Sequence, residues 1–178
     1  MKIGIVGVGG IGSNVAANLV RSGVCHLKII DFDRVEPSNL NRQFYFRDQI
    51  GRLKVEMLEQ NLCRIRTDVC IEAVAVRIDA ANCQEILADC RLIVEGLDRK
   101  SDKKMLLETL SGKDRIIVSA SGIAGHDIAC IRVKQLGGCY IVGDFVTDCT
   151  RASLFAHKVS AVANIMTDII LREGGYYD

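Results

Sequence analysis

The chain has 178 residues and carries 23 Lys and Arg against 22 Asp and Glu, a net charge of +1, so it lacks the basic field that holds nucleic acid by counterion release. Its 49% hydrophobic content, single proline and absence of tryptophan fit one α/β domain over residues 1–178, with no apolar stretch long enough to span a membrane. The N-terminus goes straight into a strand-like run, so no signal peptide is expected, and the eight cysteines are expected to be reduced thiols of a cytoplasmic protein.

The first predicted element is a strand over Lys2–Val6 that breaks into Gly7-Val8-Gly9-Gly10-Ile11-Gly12-Ser13. A helix is predicted over 11–22, with Gly23 as its C-terminal stop. Strand two, 27–31, ends in Asp31-Phe32-Asp33, and Asp31 stands nineteen residues past Gly12. A tight glycine turn between strand and helix, then an acid at that distance, is what a chain needs to wrap a nucleotide. Gly7, Gly9, Gly10 and Gly12 let backbone N–H groups approach phosphate at a helix N-terminus, and Asp31 and Asp33 are the ribose candidates.

A loop with the only proline, Pro37, leads through Asn39-Leu40-Asn41-Arg42-Gln43 to Gly51-Arg52-Leu53-Lys54 and a helix over 53–65, where Val55, Leu58 and Leu62 recur at helical spacing. Strand three is predicted over 69–76, and Asp79 as the N-cap of a helix over 80–88. Strand four, 92–95, runs into Gly96-Leu97-Asp98, and the helix after it reaches about residue 110. Strand five, 115–119, is followed by two strands, 128–134 and 140–142, folded back as a hairpin around Gly137-Gly138. The last helix covers 153–172, with Val159, Val162, Met166 and Ile169 or Ile170 as its apolar stripe, read as core with a share in a dimer contact.

Strands alternating with helices over the first 120 residues mean a Rossmann-like, mostly parallel sheet with helices on both faces and antiparallel strands toward the C-terminus. In such sheets ligands bind past the carboxyl ends of the strands. Gly7–Gly12, Asp31, Asp33, Asp98 and Ser119–Gly122 all stand at strand ends and so converge on one edge. Positive groups near a nucleotide stabilise charge that builds up in phosphoryl chemistry, and Arg42 and Lys54 are the cations of this segment, though each taken singly reads as a solvated surface charge. An NAD-dependent oxidoreductase shares the glycine turn and Asp31 but leaves Asn39, Arg42 and Lys54 unexplained. Among the eight cysteines no Cys-x-x-Cys pair occurs, so no structural zinc is expected. His26, His126 and His157 form no triad spacing with a serine and read as satisfied or surface histidines.

Asp31-x-Asp33-x-Val35, Asn39-Leu40-Asn41-Arg42-Gln43 and Lys54 resemble the adenylation core shared by ThiF, MoeB and the ubiquitin-activating enzymes. The resemblance covers nearly the whole chain, and Tyr140-Ile141-Val142-Gly143-Asp144 before a long helix is similar to the short ThiF subfamily. It implies binding of ATP with Mg2+ and adenylylation of the C-terminal glycine of a small ubiquitin-like sulfur carrier ending in Gly-Gly. A sulfur donor protein then completes a step of thiamine thiazole synthesis. It places Asp31 on the ribose with Asp33 beside it, Asn39, Arg42, Gln43 and Lys54 on the polyphosphate, and Asp98 on the metal, with Arg42, Lys54 and Asp98 catalytic. It also implies a homodimer. Another carboxylate, on a peptide precursor or a modified tRNA base, is the alternative substrate, and a carrier-binding scaffold without turnover is a further reading.

Three departures stand out. The family pattern of Asp-Asn with an Arg four residues on is here Asp98-Arg99 with Lys103. Longer relatives carry an N-terminal helix whose Arg enters the neighbouring subunit's site; Arg47 or Arg52 are the substitutes this chain offers. Some relatives use a crossover cysteine covalently, and Cys149 and Cys139 lie in the matching region.

Overall fold

The structure, a computed structural model, describes residues 1–112 and 114–177. Strands β1 (Lys2–Val6), β2 (His26–Ile30), β3 (Cys70–Val74), β4 (Cys90–Glu95), β5 (Ile116–Ala120), β6 (Arg132–Leu136) and β7 (Cys139–Gly143) form one sheet in the spatial order β3-β2-β1-β4-β5-β7-β6. All neighbours run parallel except β6, which lies antiparallel to β7 at the edge. The expected Rossmann-like, mostly parallel sheet is what the chain forms, with the antiparallel pair in its C-terminal part.

Helices α1 (Gly10–Arg21), α2 (Lys54–Cys63), α3 (Cys83–Ile86), α4 (Lys100–Leu110) and α5 (Ala156–Glu173) divide between the two faces. Side chains alternate across each strand. Ile3 and Ile5 of β1, Leu27 and Ile29 of β2 and Val94 of β4 pack with α1, α2 and α5. Val6, Ile30, Ile93 and Ile117 point to the other face and pack with Cys83 of α3 and Leu106 and Leu110 of α4. Each wholly buried aliphatic side chain contributes about 1.5–3 kcal/mol. The α5 stripe Val159, Val162, Met166, Ile169 and Ile170 is buried within this core, so its role lies inside the chain.

The helix α1 stops as the sequence indicates. Gly23 has φ of 97°, and the N–H groups of Gly23 and Val24 donate to the carbonyls of Val20 and Leu19 at 3.1 and 3.0 Å, a Schellman pair that satisfies the last turn. Two elements differ from expectation. The helix predicted over 80–88 is a single turn, Cys83–Ile86. Asp79 does accept N–H groups, from Ala81 and Asn82 at 2.8 and 3.0 Å, but Asn82 Oδ1 accepts the Asp79 N–H in return and Asn82 Nδ2 donates to the Arg77 carbonyl. This ring closes residues 79–82 into a turn and delays the helix. Strand β6 begins at Arg132 rather than 128, because Asp127 accepts the Ala129 N–H and folds that stretch into a loop. All five β6 residues are exposed, so no apolar pattern marked its bounds. The Gly137-Gly138 turn sets its register, with Leu136 opposite Cys139.

One buried ion pair ties α5 to the end of β7. Lys158 Nζ lies 2.6 Å from Asp144 Oδ2, with side chains 1% and 3% exposed, and donates to the Ala124 carbonyl at 2.6 Å. Desolvation works to raise the Asp144 pKa, but the hydrogen bonds from Lys158 and from the Thr147 and Val146 N–H groups outweigh it and hold the carboxyl below its ordinary value. Removing one partner leaves the other charge buried, which costs about 3–5 kcal/mol. Lys158→Met is therefore expected to lower stability to urea by that amount, against about 0.3–0.5 kcal/mol for breaking the exposed Lys104–Glu108 pair of α4. A carboxyl with a depressed folded pKa stabilises the fold above its unfolded value of 3.8 and loses that contribution as pH falls further. The stability gap between wild type and Lys158→Met should accordingly narrow as pH drops through about 4, as measured by denaturation at each pH.

Candidate active site

The order of the sheet reverses between β1 and β4, and the loops leaving these two strands diverge there to open a cleft of about 620 Å3. The loops meet through glycine alone. A Cβ on Gly12 would stand 2.0 Å from the Gly7 carbonyl oxygen, and one on Gly96 would stand 2.7 Å from the same oxygen. Gly7 itself has φ of 82°, a left-handed conformation that favours glycine. The turn delivers α1 end-on to the cleft. No side chain caps α1 and its first turn holds no acid, so its free N–H groups and about half a positive charge face the cavity.

Every predicted site residue except Gly12 lines this one cleft: Gly7, Gly9, Gly10, Asp31, Asp33, Asn39, Arg42, Gln43, Lys54 and Asp98. Gly12 stands behind them and makes the crossing possible. Asp31 is 9% exposed, and its carboxylate accepts the Val8 and Asp33 N–H groups, both at 2.8 Å. Burial pushes its pKa up, against the N–H group of Asp33, the Lys54 charge and the Val8 N–H. Asp33 turns the other way and pairs with Lys54 Nζ at 3.1 Å; its carboxylate is engaged with the cation rather than standing beside Asp31 as a second ribose acceptor. Asn39 Oδ1 accepts the Glu36 N–H at 3.1 Å and so closes a short 3-10 turn. Arg42 reaches back to the Ser38 carbonyl at 2.9 Å and to Asn41 Oδ1 at 2.7 Å. Asp98 is exposed on the opposite wall.

Three side chains that the sequence reading passed over staple the Arg42 segment to the glycine turn. Ser13 Oγ donates to the Gly9 carbonyl at 2.6 Å and accepts the Phe44 N–H at 3.0 Å. Asn14 Nδ2 donates to the carbonyls of Gly10 and Arg42 at 2.6 and 2.9 Å. Tyr45 Oη donates to the Val8 carbonyl at 2.8 Å. Burial, with Asp31 and Asp33 nearby, raises the Tyr45 pKa well above its ordinary value, which keeps the hydroxyl a donor. No local pattern marks the staples, because the partners that tie the two segments together, Phe44, Arg42 and Val8, are distant in sequence. Lys158 did carry a signal, since it stands four residues before Val162 on the apolar stripe of α5.

Of the two thiols in the crossover region, Cys149 is exposed and lines the cleft, in a segment held to the start of α4 by Lys100 and Asp148 at 2.9 Å. Cys139 sits in β7, and desolvation pushes its thiol up. Arg47 and Arg52 lie outside the cleft lining. His157 Nε2 meets the His126 carbonyl at 2.8 Å, a local contact away from any serine.

The cleft fits a nucleotide with polyphosphate. The uncapped α1 terminus and the glycine cradle suit phosphate oxygens, and Gln43 Oε1 is buried without a partner among the described residues. Those residues include no cluster of three His, Cys, Asp or Glu able to hold a metal alone, so a cation at Asp98 would share its coordination with phosphate and water.

Fold and cleft together define a Rossmann-type nucleotide-binding protein. The chain matches the ThiF family over residues 1–172, and it belongs to that family. It is 30% identical over 141 residues to the adenylyltransferase and sulfurtransferase UBA4 of Eremothecium gossypii, which covers 78% of this chain and 32% of that protein. It is 49% identical over 70 residues to ubiquitin-like modifier-activating enzyme 5 of Drosophila grimshawi, 39% of this chain and 18% of that protein. The chain thus spans a third or less of the length of these curated relatives. Its fold is shared with the tRNA N6-threonylcarbamoyladenosine dehydratase TcdA of E. coli solved with AMP, at a TM-score of 0.88 and 19% identity over 97% of this chain and 85% of that one. MccB of E. coli solved with ATP matches at a TM-score of 0.77 and 22% identity, over 98% and 56% of the two chains.

Because Tyr45 supports the glycine turn from beneath, Tyr45→Phe is expected to cost about 1 kcal/mol through the orphaned Val8 carbonyl. Urea denaturation of the two proteins checks this.

Proposed function

We propose that this chain uses ATP and Mg2+ to adenylylate the C-terminal glycine carboxylate of a small ubiquitin-like sulfur carrier ending in Gly-Gly, in a route such as thiamine thiazole synthesis. The observation that carries the reading is the convergence of Arg42, Lys54 and Asp98 on the uncapped end of α1, with Asp31 beside it. The names of the curated relatives, an adenylyltransferase and a ubiquitin-like modifier-activating enzyme, support the same reaction class.

In this reading Asp31 accepts the ribose hydroxyls, and the N–H groups of residues 9–11 take phosphate oxygens. Lys54 exchanges Asp33 for phosphate, and Arg42 turns its guanidinium from Ser38 toward the same charge. Asn39 holds the turn from which Arg42 projects. Gln43 supplies hydrogen bonds at the base of the phosphate site. Asp98 would hold Mg2+, which would supply charge neutralisation of the phosphates. A carrier carboxylate oxygen bonds to the α-phosphorus, the bond to the β-phosphate oxygen breaks, and pyrophosphate leaves. The cations stabilise the negative charge gathered on the phosphates in that transition state. A sulfur donor protein then acts on the acyl-adenylate. The protein works in the cytoplasm, as a homodimer. A second reading, activation of a carboxylate on a modified tRNA base, takes its support from the fold shared with TcdA; the net charge of +1 counts against it.

ATP–pyrophosphate exchange in the presence of a β-grasp protein ending in Gly-Gly tests the reading. Exchange is expected to need the intact carrier C-terminus and to ignore tRNA. Lys54→Ala and Asp98→Ala should each lower it by about 10²–10³-fold, and full exchange in either variant would remove these residues from the mechanism. In a thermal-shift comparison ATP should raise the melting temperature and NAD should leave it unchanged, since a ligand stabilises the state it binds.

A further inference from the structure

Glu95 ends β4 with its side chain wholly buried, at 0% exposure. A buried carboxylate is tolerated only where donors saturate it. Lys103 Nζ lies 3.0 and 2.8 Å from its two oxygens, Ser119 Oγ donates at 2.5 Å, and the Leu97 N–H donates at 2.7 Å. The donors come from α4, from β5 and from the loop between β4 and α4. The chain leaves Glu95, passes Asp98, and returns to Glu95 through Lys103 one turn into α4. The loop is therefore a closed ring, pinned again at the residue before Asp98. Its floor is fixed as well, because Gly96 packs on the Gly7 carbonyl.

We propose that Glu95 and Lys103 are positioning residues: their buried ion pair sets the backbone of the loop that presents Asp98, and through it the strength with which a divalent cation joins the nucleotide. This rests on the reading that Asp98 faces a magnesium–nucleotide complex. It also explains how a lysine serves at 103. A single ammonium bridges both Glu95 oxygens as a point charge, and no guanidinium fork is needed. Groups that orient a metal ligand without touching the metal change its affinity by about 10–100-fold when removed.

The test uses the full chain and measures ATP affinity by calorimetry with and without Mg2+, alongside Mn2+ binding to the ATP complex followed by its spin-resonance signal. Lys103→Met should bind ATP without metal to within about twofold of wild type, since the glycine turn and Asp31 are untouched. Its gain in affinity on adding Mg2+ should fall about tenfold, with a matching loss of Mn2+ affinity. Lys103→Arg should recover that gain to within about threefold. Glu95→Gln removes the charge of the pair while keeping the side chain's shape and provides the same test if Lys103→Met does not fold. An unchanged metal gain in Lys103→Met or, where that does not fold, in Glu95→Gln overturns the proposal. So does an equal loss of ATP affinity with and without metal, which would mean a general structural role. Wild type that binds no ATP under either condition overturns the adenylylation reading and this proposal together. Wild type that binds and exchanges pyrophosphate while Lys103→Met keeps its full metal gain overturns the positioning role alone.

Discussion

The structure depends on a place where three backbone segments touch with no side chain between them. Gly7 at the end of β1, Gly12 inside α1 and Gly96 after β4 approach so closely that a Cβ on the second or third would lie 2.0 or 2.7 Å from the Gly7 carbonyl oxygen, well inside van der Waals contact. This contact lets α1 start directly above β1, and it brings the β4 loop alongside. Both consequences shape the cleft. The first aims free N–H groups at it, and the second sets Asp98 on its lining. A larger residue at either position would force the start of α1 and the β4 loop apart.

Around that contact the three cations each have hydrogen-bond partners within the chain. Lys54 has Asp33, Arg42 has Ser38 and Asn41, and Lys103 has Glu95. The three differ in what surrounds them. Glu95 is wholly enclosed, so its bond to Lys103 is permanent scaffolding. Asp33 is half exposed, so water can take over its solvation when Lys54 turns to a phosphate. Arg42 is held only by neutral acceptors, which a dianionic phosphate outcompetes as a charge-assisted partner. Burial of the partner thus separates Lys103, held by an enclosed acid, from Lys54 and Arg42, whose partners are a solvated carboxylate and neutral acceptors.

Part of the cleft was legible because it is local: the glycines and Asp31 stand at strand ends, which are marked by apolar runs stopping at glycine or acid. Asn39, Arg42, Lys54 and Asp98 were legible through the resemblance of their motifs to the ThiF family. Central strands β1, β4 and β5 are buried on both faces and read as continuous apolar stretches. The edges were harder. β6 has no buried face, and its true start depended on a turn made by Asp127. The staples Ser13, Asn14 and Tyr45 were invisible because a hydroxyl or amide in sequence says nothing about which distant carbonyl it will meet. Glu95 was missed for a related reason. It closes an apolar run, as many strand-ending acids do, and only the fold shows Lys103 and Ser119 converging on it.

The open side of β6 has a consequence for how copies of this protein meet. An edge strand presents unpaired N–H and C=O groups and invites another strand to join it. Here the edge carries Arg132 and Lys134, and Lys134 Nζ stands 4.2 Å above the Phe145 ring. Two such edges brought together would crowd positive charges at the junction, while Leu136, 84% exposed at its end, offers too little apolar area to offset them. The β6 edge is thereby guarded against pairing with another copy of itself, and the guard weakens as salt screens it.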